Sequence, residues 1–188
     1  MSLRVIAGNA KGRKLKSPPC FNTRPITDRI KEALFNTLSN SVKDAFFLDL
    51  FAGSGSVGIE ALSRGASKVV FIDNDINSIK IINKNLINCN FVDGFEVYRQ
   101  DVLKAIKILC KRNLLFDIIY IDPPFTNEKI FSQVMNEISK YNLLNKNGQI
   151  IIRIPKSLVL SSEFYNLKLY REKNYGESTL KYYELSES

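Results

Sequence analysis

Five short apolar runs, rich in β-formers, alternate with four helical stretches between Phe46 and Ile154, and this alternation restricts the fold more than any other feature. The runs lie at Phe46–Leu50, Val69–Asp73, Phe95–Arg99, Phe116–Ile121 and Gln149–Ile154. Helical patterns occupy about 56–64, 75–88, 102–112 and 127–141; in the second, Ile76, Ile79, Ile82, Leu86 and Ile87 recur at helical spacing. Strands separated by helices pair in parallel through crossovers, and such a sheet is covered on both faces. Two later runs, Asn166–Arg171 and Leu180–Leu185, flank Asn174-Tyr175-Gly176 with no helix between them, which predicts an antiparallel edge hairpin. The expectation is therefore an α/β fold with a seven-stranded, mostly parallel sheet. Ahead of it, Leu3–Ile6 and Arg13–Leu15 predict a small β-hairpin, and Ser17–Asn22 a loop. Thr27 is the expected N-cap of an amphipathic helix that shows Ile30, Ala33, Leu34 and Leu38 on one face. The chain is read as one domain over 1–188, with a basic extension at 1–25 and the helix plus core at 26–188.

Charge is unevenly placed along this framework. Residues 1–32 hold eight basic groups (Arg4, Lys11, Arg13, Lys14, Lys16, Arg24, Arg29 and Lys31) against Asp28 and Glu32, which is most of the net +8 of the chain. A basic extension on a nearly neutral body suits a polyanion, with salt-sensitive binding, or equally a solvated basic terminus. The chain has 188 residues, enough for one hydrophobic core, and no apolar run approaches the ~18 residues of a membrane span. The first residues lack the pattern of a secretory signal, so a soluble cytoplasmic protein is expected. Cys20, Cys89 and Cys110 are scattered and histidine is absent, which argues against structural zinc.

In an open α/β sheet, ligands bind beyond the C-terminal ends of the strands. After the first strand comes Asp49-Leu50-Phe51-Ala52-Gly53-Ser54-Gly55-Ser56-Val57-Gly58. Its glycines let backbone approach a ligand, and the helix that follows points its N-terminus there. Gly53, Gly55 and Gly58 fit G-x-G-x-x-G, which by itself is weak, since many glycine turns are only tight connections. The second strand ends in Asp73-Asn74-Asp75, where a carboxylate can accept ribose hydroxyls; Asp75 reads as a helix cap. The third is followed by Asp101-Val102, which could likewise cap a helix.

The fourth strand runs directly into Asp122-Pro123-Pro124-Phe125. Two prolines stop the ladder and make the turn rigid, so a carboxylate, backbone carbonyls and an aromatic ring face one cleft. A strand terminator with a core Phe is the alternative. The chemistry that needs these parts is methyl transfer to an exocyclic base amine, whose lone pair is delocalised into the ring. Hydrogen bonds from the amine to Asp122 and a proline carbonyl free that lone pair, Phe125 stacks on the extruded base, and no metal is needed.

The D-x-F-x-G-x-G loop resembles motif I of class I S-adenosylmethionine-dependent methyltransferases, which have a Rossmann-like fold. That resemblance implies cofactor contacts from Asp49, Phe51, Ala52, Gly53, Ser54, Gly55, Asp73 and Asn74, with Asp101 and Val102 at the adenine. The segments Arg4–Gly8, Lys11–Leu15, Thr23-Arg24-Pro25-Ile26-Thr27-Asp28-Arg29 through Asn36, and Gly58–Ala66 are similar to the bacterial 16S rRNA guanine-N2 methyltransferases of RsmD type, as is the tail from Lys173 to Tyr183. This implies N2 methylation of guanine 966 in the small ribosomal subunit or its assembly intermediate, by a monomer. It also implies that Arg24 and Thr27 lie beside the cofactor, and that the basic hairpin grips RNA. Relatives commonly carry Glu-x-Asp where this chain has Asp73-Asn74-Asp75, one methylene shorter at the ribose. From the residues alone, Arg4, Lys11, Arg13, Lys14, Lys16 and Arg29 are the candidate phosphate contacts. The rival readings are an adenine-N6 methyltransferase, an NAD-dependent oxidoreductase and a catalytically idle RNA-binding module. An oxidoreductase lacks support from any histidine or Tyr-x-x-x-Lys pair.

Overall fold

The apolar runs become strands, the central ones buried on both faces and the edge one, Phe95–Arg99, only partly covered. In the computed structural model, which describes residues 3–18 and 26–186, they are β1 (Phe46–Leu50), β2 (Lys68–Asp73), β3 (Phe95–Arg99), β4 (Phe116–Ile121) and β5 (Leu144–Pro155). The chain continues through β6 (Glu163–Phe164), β7 (Leu167–Tyr175) and β8 (Ser178–Leu185). They form one sheet in the order β3-β2-β1-β4-β5-β8-β7-β6. The first five are parallel; β8 runs antiparallel to β5, and β7 and β6 continue the antiparallel edge.

The helices are α1 (Asp28–Leu38), α2 (Ser56–Ser63), α3 (Ile76–Asn88), α4 (Val102–Lys111) and α5 (Glu128–Tyr141). Side chains of the central strands alternate between two cores. Phe47, Ile118, Tyr120 and Ile151 pack with α1, α2 and α3 on one face. Leu48, Leu50, Ile119 and Ile121 pack with α4 and α5 on the other. None of these helices is long and apolar enough to cross a membrane.

The sheet has eight strands where seven were expected. The extra one, β6, is two residues long and pairs only with the start of β7, too short to leave a hydrophobic pattern. Strand β5 begins at Leu144 rather than Gln149, because Leu144 pairs with Phe116 ahead of a register shift. Thr27 caps α1 as expected, accepting the Ile30 N–H at 3.3 Å.

The N-terminal hairpin is held less by its own ladder than by α2. Arg4 and Lys14 make a single antiparallel bridge, with the Leu15 N–H on the Leu3 carbonyl at 2.7 Å. Glu60 on α2 is fully buried, and its carboxylate accepts the Ile6 and Ala7 N–H groups at 2.8 and 3.0 Å. Lys31 on α1, also fully buried, lies 3.4 Å from Glu60 and donates to the Arg4 carbonyl and Ser56 Oγ at 2.6 and 2.9 Å. Burial pulls the Lys31 pKa down, and Glu60 opposes that. Ser63 donates to the Ala7 carbonyl at 2.6 Å and accepts the Ala10 N–H at 2.9 Å. Gly8 fits there because any Cβ would sit 1.7 Å from the Ser63 carbonyl oxygen.

Lys31 is thus one of the eight N-terminal charges but not part of a surface patch. Replacing it leaves a buried carboxylate without its lysine partner. Arg64 stays on Glu60 at 2.8 Å, so Lys31→Met is expected to destabilise the protein by about 1–3 kcal/mol in urea unfolding. Arg29→Met, on the exposed side of the same helix, is expected to change stability by less than about 0.5 kcal/mol.

Candidate active site

The glycine loop between β1 and α2 is pinned from several directions. Phe51 leaves β1 with φ of 60°, a left-handed conformation rare for an aromatic residue and costing of order 1 kcal/mol. The strained turn is held by the Ala52 N–H on the Ile72 carbonyl at 3.0 Å and the Gly53 N–H on Asp73 Oδ2 at 2.8 Å. From α3, the buried Asn85 side chain donates to the Ser54 carbonyl at 2.9 Å. Asp49 Oδ2 accepts the Gly58 N–H at 2.9 Å, tying the end of β1 to the first turn of α2. Gly58 serves packing rather than ligand approach, since a Cβ there would lie 2.3 Å from the Phe71 ring. Helix and strand can come this close only at glycine.

The turn after β4 closes the opposite wall. Asp122 keeps its N–H on the Leu50 carbonyl at 3.3 Å, and both its carboxylate oxygens are engaged. Arg153 Nε, from β5, donates to Oδ1 at 2.7 Å; the Tyr120 hydroxyl donates to Oδ2 at 3.2 Å. The Arg153 guanidinium also lies 5.0 Å from the centre of the Phe125 ring, whose other neighbour is Phe131 at 6.2 Å.

Between these walls lies a cleft of about 580 Å³, well within the size range of small-molecule sites. Asp49, Phe51, Ala52, Gly53, Ser54, Asp73 and Asn74 line it, together with all of Asp122, Pro123, Pro124 and Phe125. Gly55, at φ 74°, stands just behind the lining as the N-cap of α2. Thr27 also lies outside the lining, and its neighbour Ile26 takes that place. Arg24 and Cys20 fall outside the described residues.

Asp101 and Val102 stand at the start of α4. Asp101 caps α4, accepting the Lys104 N–H at 3.0 Å, and Val102 is buried in the core beneath that helix. Neither is among the residues that line the cleft, although the chain leaving β3 stays against its wall, with the Gln100 N–H on the Asp73 carbonyl at 2.9 Å. The helix-cap alternative describes Asp101 in this structure. It also describes Asp75, which accepts the Asn77 and Ser78 N–H groups at 3.2 and 2.9 Å while still lining the cleft.

The cleft is acidic. Burial pushes the Asp49 carboxyl up to about 8 against its Gly58 hydrogen bond, and the charges of Asp122 and Asp73 add to the rise. Burial likewise raises Asp73, despite backbone bonds from Asp75 and Gly53, and raises Asp122, where Arg153 and Tyr120 work in the opposite direction. Among the described lining residues Arg153 is the one cation. Such a site accepts hydrogen bonds from hydroxyls and amines and favours a positively charged ligand.

Of the expected phosphate contacts, Lys11, Arg13, Lys14, Lys16 and Arg29 are exposed. Arg4 is exposed too, but its guanidinium pairs with Asp28 at 3.0 Å. The sequence expectation missed lining residues such as Ser56, Val57, Asn77 and Thr126, and the residues that brace the site through hydrogen bonds, Tyr120, Arg153 and Asn85. A signal for Arg153 was present, because a lone charge inside Ile150–Ile154 of a covered strand requires a buried partner. Tyr120 and Asn85 left no such mark.

The family described as Conserved hypothetical protein 95 matches residues 3–184. Ribosomal RNA small subunit methyltransferase D of Haemophilus influenzae is 35% identical over 184 residues, covering 97% of this chain and 93% of that protein. The protein of the same name from Escherichia coli strain K12 is 32% identical over 182 residues, covering 97% and 89%. Among solved structures, Escherichia coli YhhF matches with a TM-score of 0.84 at 29% identity over 99% of both chains. TrmN of Thermus thermophilus, at 18% identity and a TM-score of 0.70, covers 86% of this chain and 49% of its own length and shares the fold alone. A family match over nearly all of the sequence, with relatives above 30% identity along almost their whole length, places this chain in the RsmD family of class I methyltransferases.

Proposed function

We propose that this protein transfers a methyl group from S-adenosylmethionine to the exocyclic N2 amine of guanine 966 in 16S rRNA, acting in the cytoplasm on the small subunit or its assembly intermediate. The observation that carries this reading is Asp122-Pro123-Pro124-Phe125 at the wall of an acidic cleft, facing the glycine loop across it.

The cleft fits the cofactor by its donors and acceptors. Asp73 stands where ribose hydroxyls would be accepted, Gly53 and Ser54 offer backbone close to the ligand, and the carboxylates suit a cationic group. When bound, S-adenosylmethionine supplies an electrophilic methyl on sulfur. Asp122 and the carbonyl of Pro123 accept the two N–H bonds of the base amine, which turns its lone pair toward that methyl. Phe125 stacks on the base, and the rigid Pro-Pro turn holds both groups in line, so orientation provides much of the acceleration. The N–C bond forms as the C–S bond breaks, and the amine's surplus proton leaves to Asp122 or to water. Lys11, Arg13, Lys14 and Lys16 contact phosphates and set the position of the RNA without reading its bases. Selectivity then rests on the shape of the folded target.

The deciding experiment is transfer from tritiated S-adenosylmethionine to small subunits lacking this methyl group, followed by nucleoside analysis. N2-methylguanosine is the expected product; label in methyladenosine would keep the chemistry and overturn the substrate. Asp122→Ala is expected to slow transfer by at least about 100-fold while cofactor binding persists, as measured by titration calorimetry. Near-wild-type turnover in that variant would sink the amine-activation mechanism.

Charge reversal at Lys11, Arg13 and Lys14 should weaken RNA binding by more than about tenfold and flatten its salt dependence, by about one unit of log–log slope for each phosphate no longer neutralised. Cofactor affinity should not change. A parallel fall in cofactor affinity would instead indicate damage to the fold.

A further inference from the structure

The two groups that would touch the substrate amine and base, Asp122 and Phe125, share a neighbour that the methyltransferase motif does not contain. Arg153 projects from β5, and its side chain is 5% exposed. Its Nε lies 2.7 Å from Asp122 Oδ1, and its guanidinium carbon lies over the Phe125 ring, 5.0 Å from the centre. One side chain therefore sets both the rotation of the carboxylate and the tilt of the aromatic platform. With Tyr120 on Oδ2, the carboxylate is held on two sides in a residue that lines the cleft. A lysine could match the charge but not the planar fork or the stack.

We propose that Arg153 is the positioning residue of this site, holding Asp122 and Phe125 in one shared geometry and keeping Asp122 in its accepting, ionised form. This rests on the catalytic reading of Asp122 given above. The charged and titratable groups facing Asp122 are Arg153 from β5, Tyr120 from β4 and Asp49 from β1. Burial and Asp49 favour the neutral acid, whereas Arg153 and the Tyr120 hydroxyl favour the carboxylate. Removing Arg153 moves the protonation of Asp122 to higher pH, so the loss of activity should be deepest on the acid side and shallower as pH rises.

The test compares Arg153→Met, Arg153→Lys and Asp122→Ala with wild type. Three quantities are measured: the melting temperature, the affinity for S-adenosylhomocysteine, and kcat across pH 6 to about 9.5. For Arg153→Met, affinity within about twofold of wild type, kcat near neutrality lowered by about 100-fold, and an acid limb shifted to higher pH are expected. Arg153→Lys should return the acid limb toward its wild-type position while kcat stays depressed, because charge is restored without the stack.

A kcat like wild type in Arg153→Met, or a loss uniform across pH in both variants, would overturn the proposal. Should Arg153→Met fail to fold, Arg153→Lys decides: wild-type kcat refutes the positioning role, and lowered kcat with unchanged affinity and acid limb supports it. Asp122→Ala separates the two levels. Full activity in that variant removes the catalytic reading itself, whereas an inactive Asp122→Ala beside a fully active Arg153→Met removes only the role of Arg153.

Discussion

Everything at the site follows from one topological constraint: β1 and β4 are neighbours in the sheet, but the chain leaves them toward opposite faces. The connection after β1 turns into α2, and the one after β4 turns into α5. The strand ends must therefore part, and a parallel sheet has no way to close that gap with regular structure. Into it point the backbone of the glycine loop from one side and the Asp-Pro-Pro-Phe turn from the other. The loop carries the strain of Phe51, and the turn is stiffened by proline rings. A cavity made this way needs no separate lid or domain to have two chemically distinct walls.

The two walls are also electrically joined. Asp49, Asp73 and Asp122 come from three different strands, and the sheet spacing forces them to share one poorly hydrated volume. Burial raises the pKa of all three, and for Asp49 the charges of Asp122 and Asp73 add to the rise. The cleft relieves this repulsion when a cation enters it. That is the electrostatic character that suits a sulfonium donor, whereas the negative pyrophosphate of a dinucleotide would be repelled by it.

The five parallel strands and the five helices were readable from the sequence because the central strands are mostly apolar runs and α1, α3, α4 and α5 carry an apolar stripe. What stayed hidden obeys a different physics. Strand β6 is defined by pairing alone, and the lead-in to β5 at Leu144 by a side-chain register with Phe116 across the sheet. Helical spacing puts Ile30, Ala33, Leu34 and Leu38 on the inner face of α1, but its buried residues include Lys31 and Phe35 and leave Ala33 partly exposed. A lysine counts as polar in any periodic pattern, and only the partner carboxylate on α2 reveals it as a core residue. The motif residues of the cleft were legible because glycine, proline and strand-end acids are rare combinations. Two of their supports, Arg153 and Asn85, come from elements distant in sequence and could be joined to the site only in three dimensions, while Tyr120, two residues before Asp122, reads in the sequence as one more apolar strand position. Asp101 caps α4 one residue past Gln100, whose N–H bonds to the Asp73 carbonyl.

The attachment of the hairpin to α2 has a mechanical consequence. The same short helix that presents Ser56 and Val57 to the cleft holds the hairpin through Glu60 and Ser63, so the basic surface and the reaction centre are mounted on one rigid bar. The hairpin is tied to this helix through its Ile6, Ala7 and Ala10 N–H groups. On the proposed function, a backbone gripped there would be held at a set distance from Asp122, and a target would be served when its reactive amine projects from its phosphates by that same distance. The enzyme would then choose its substrate as a caliper does, by reach rather than by reading letters.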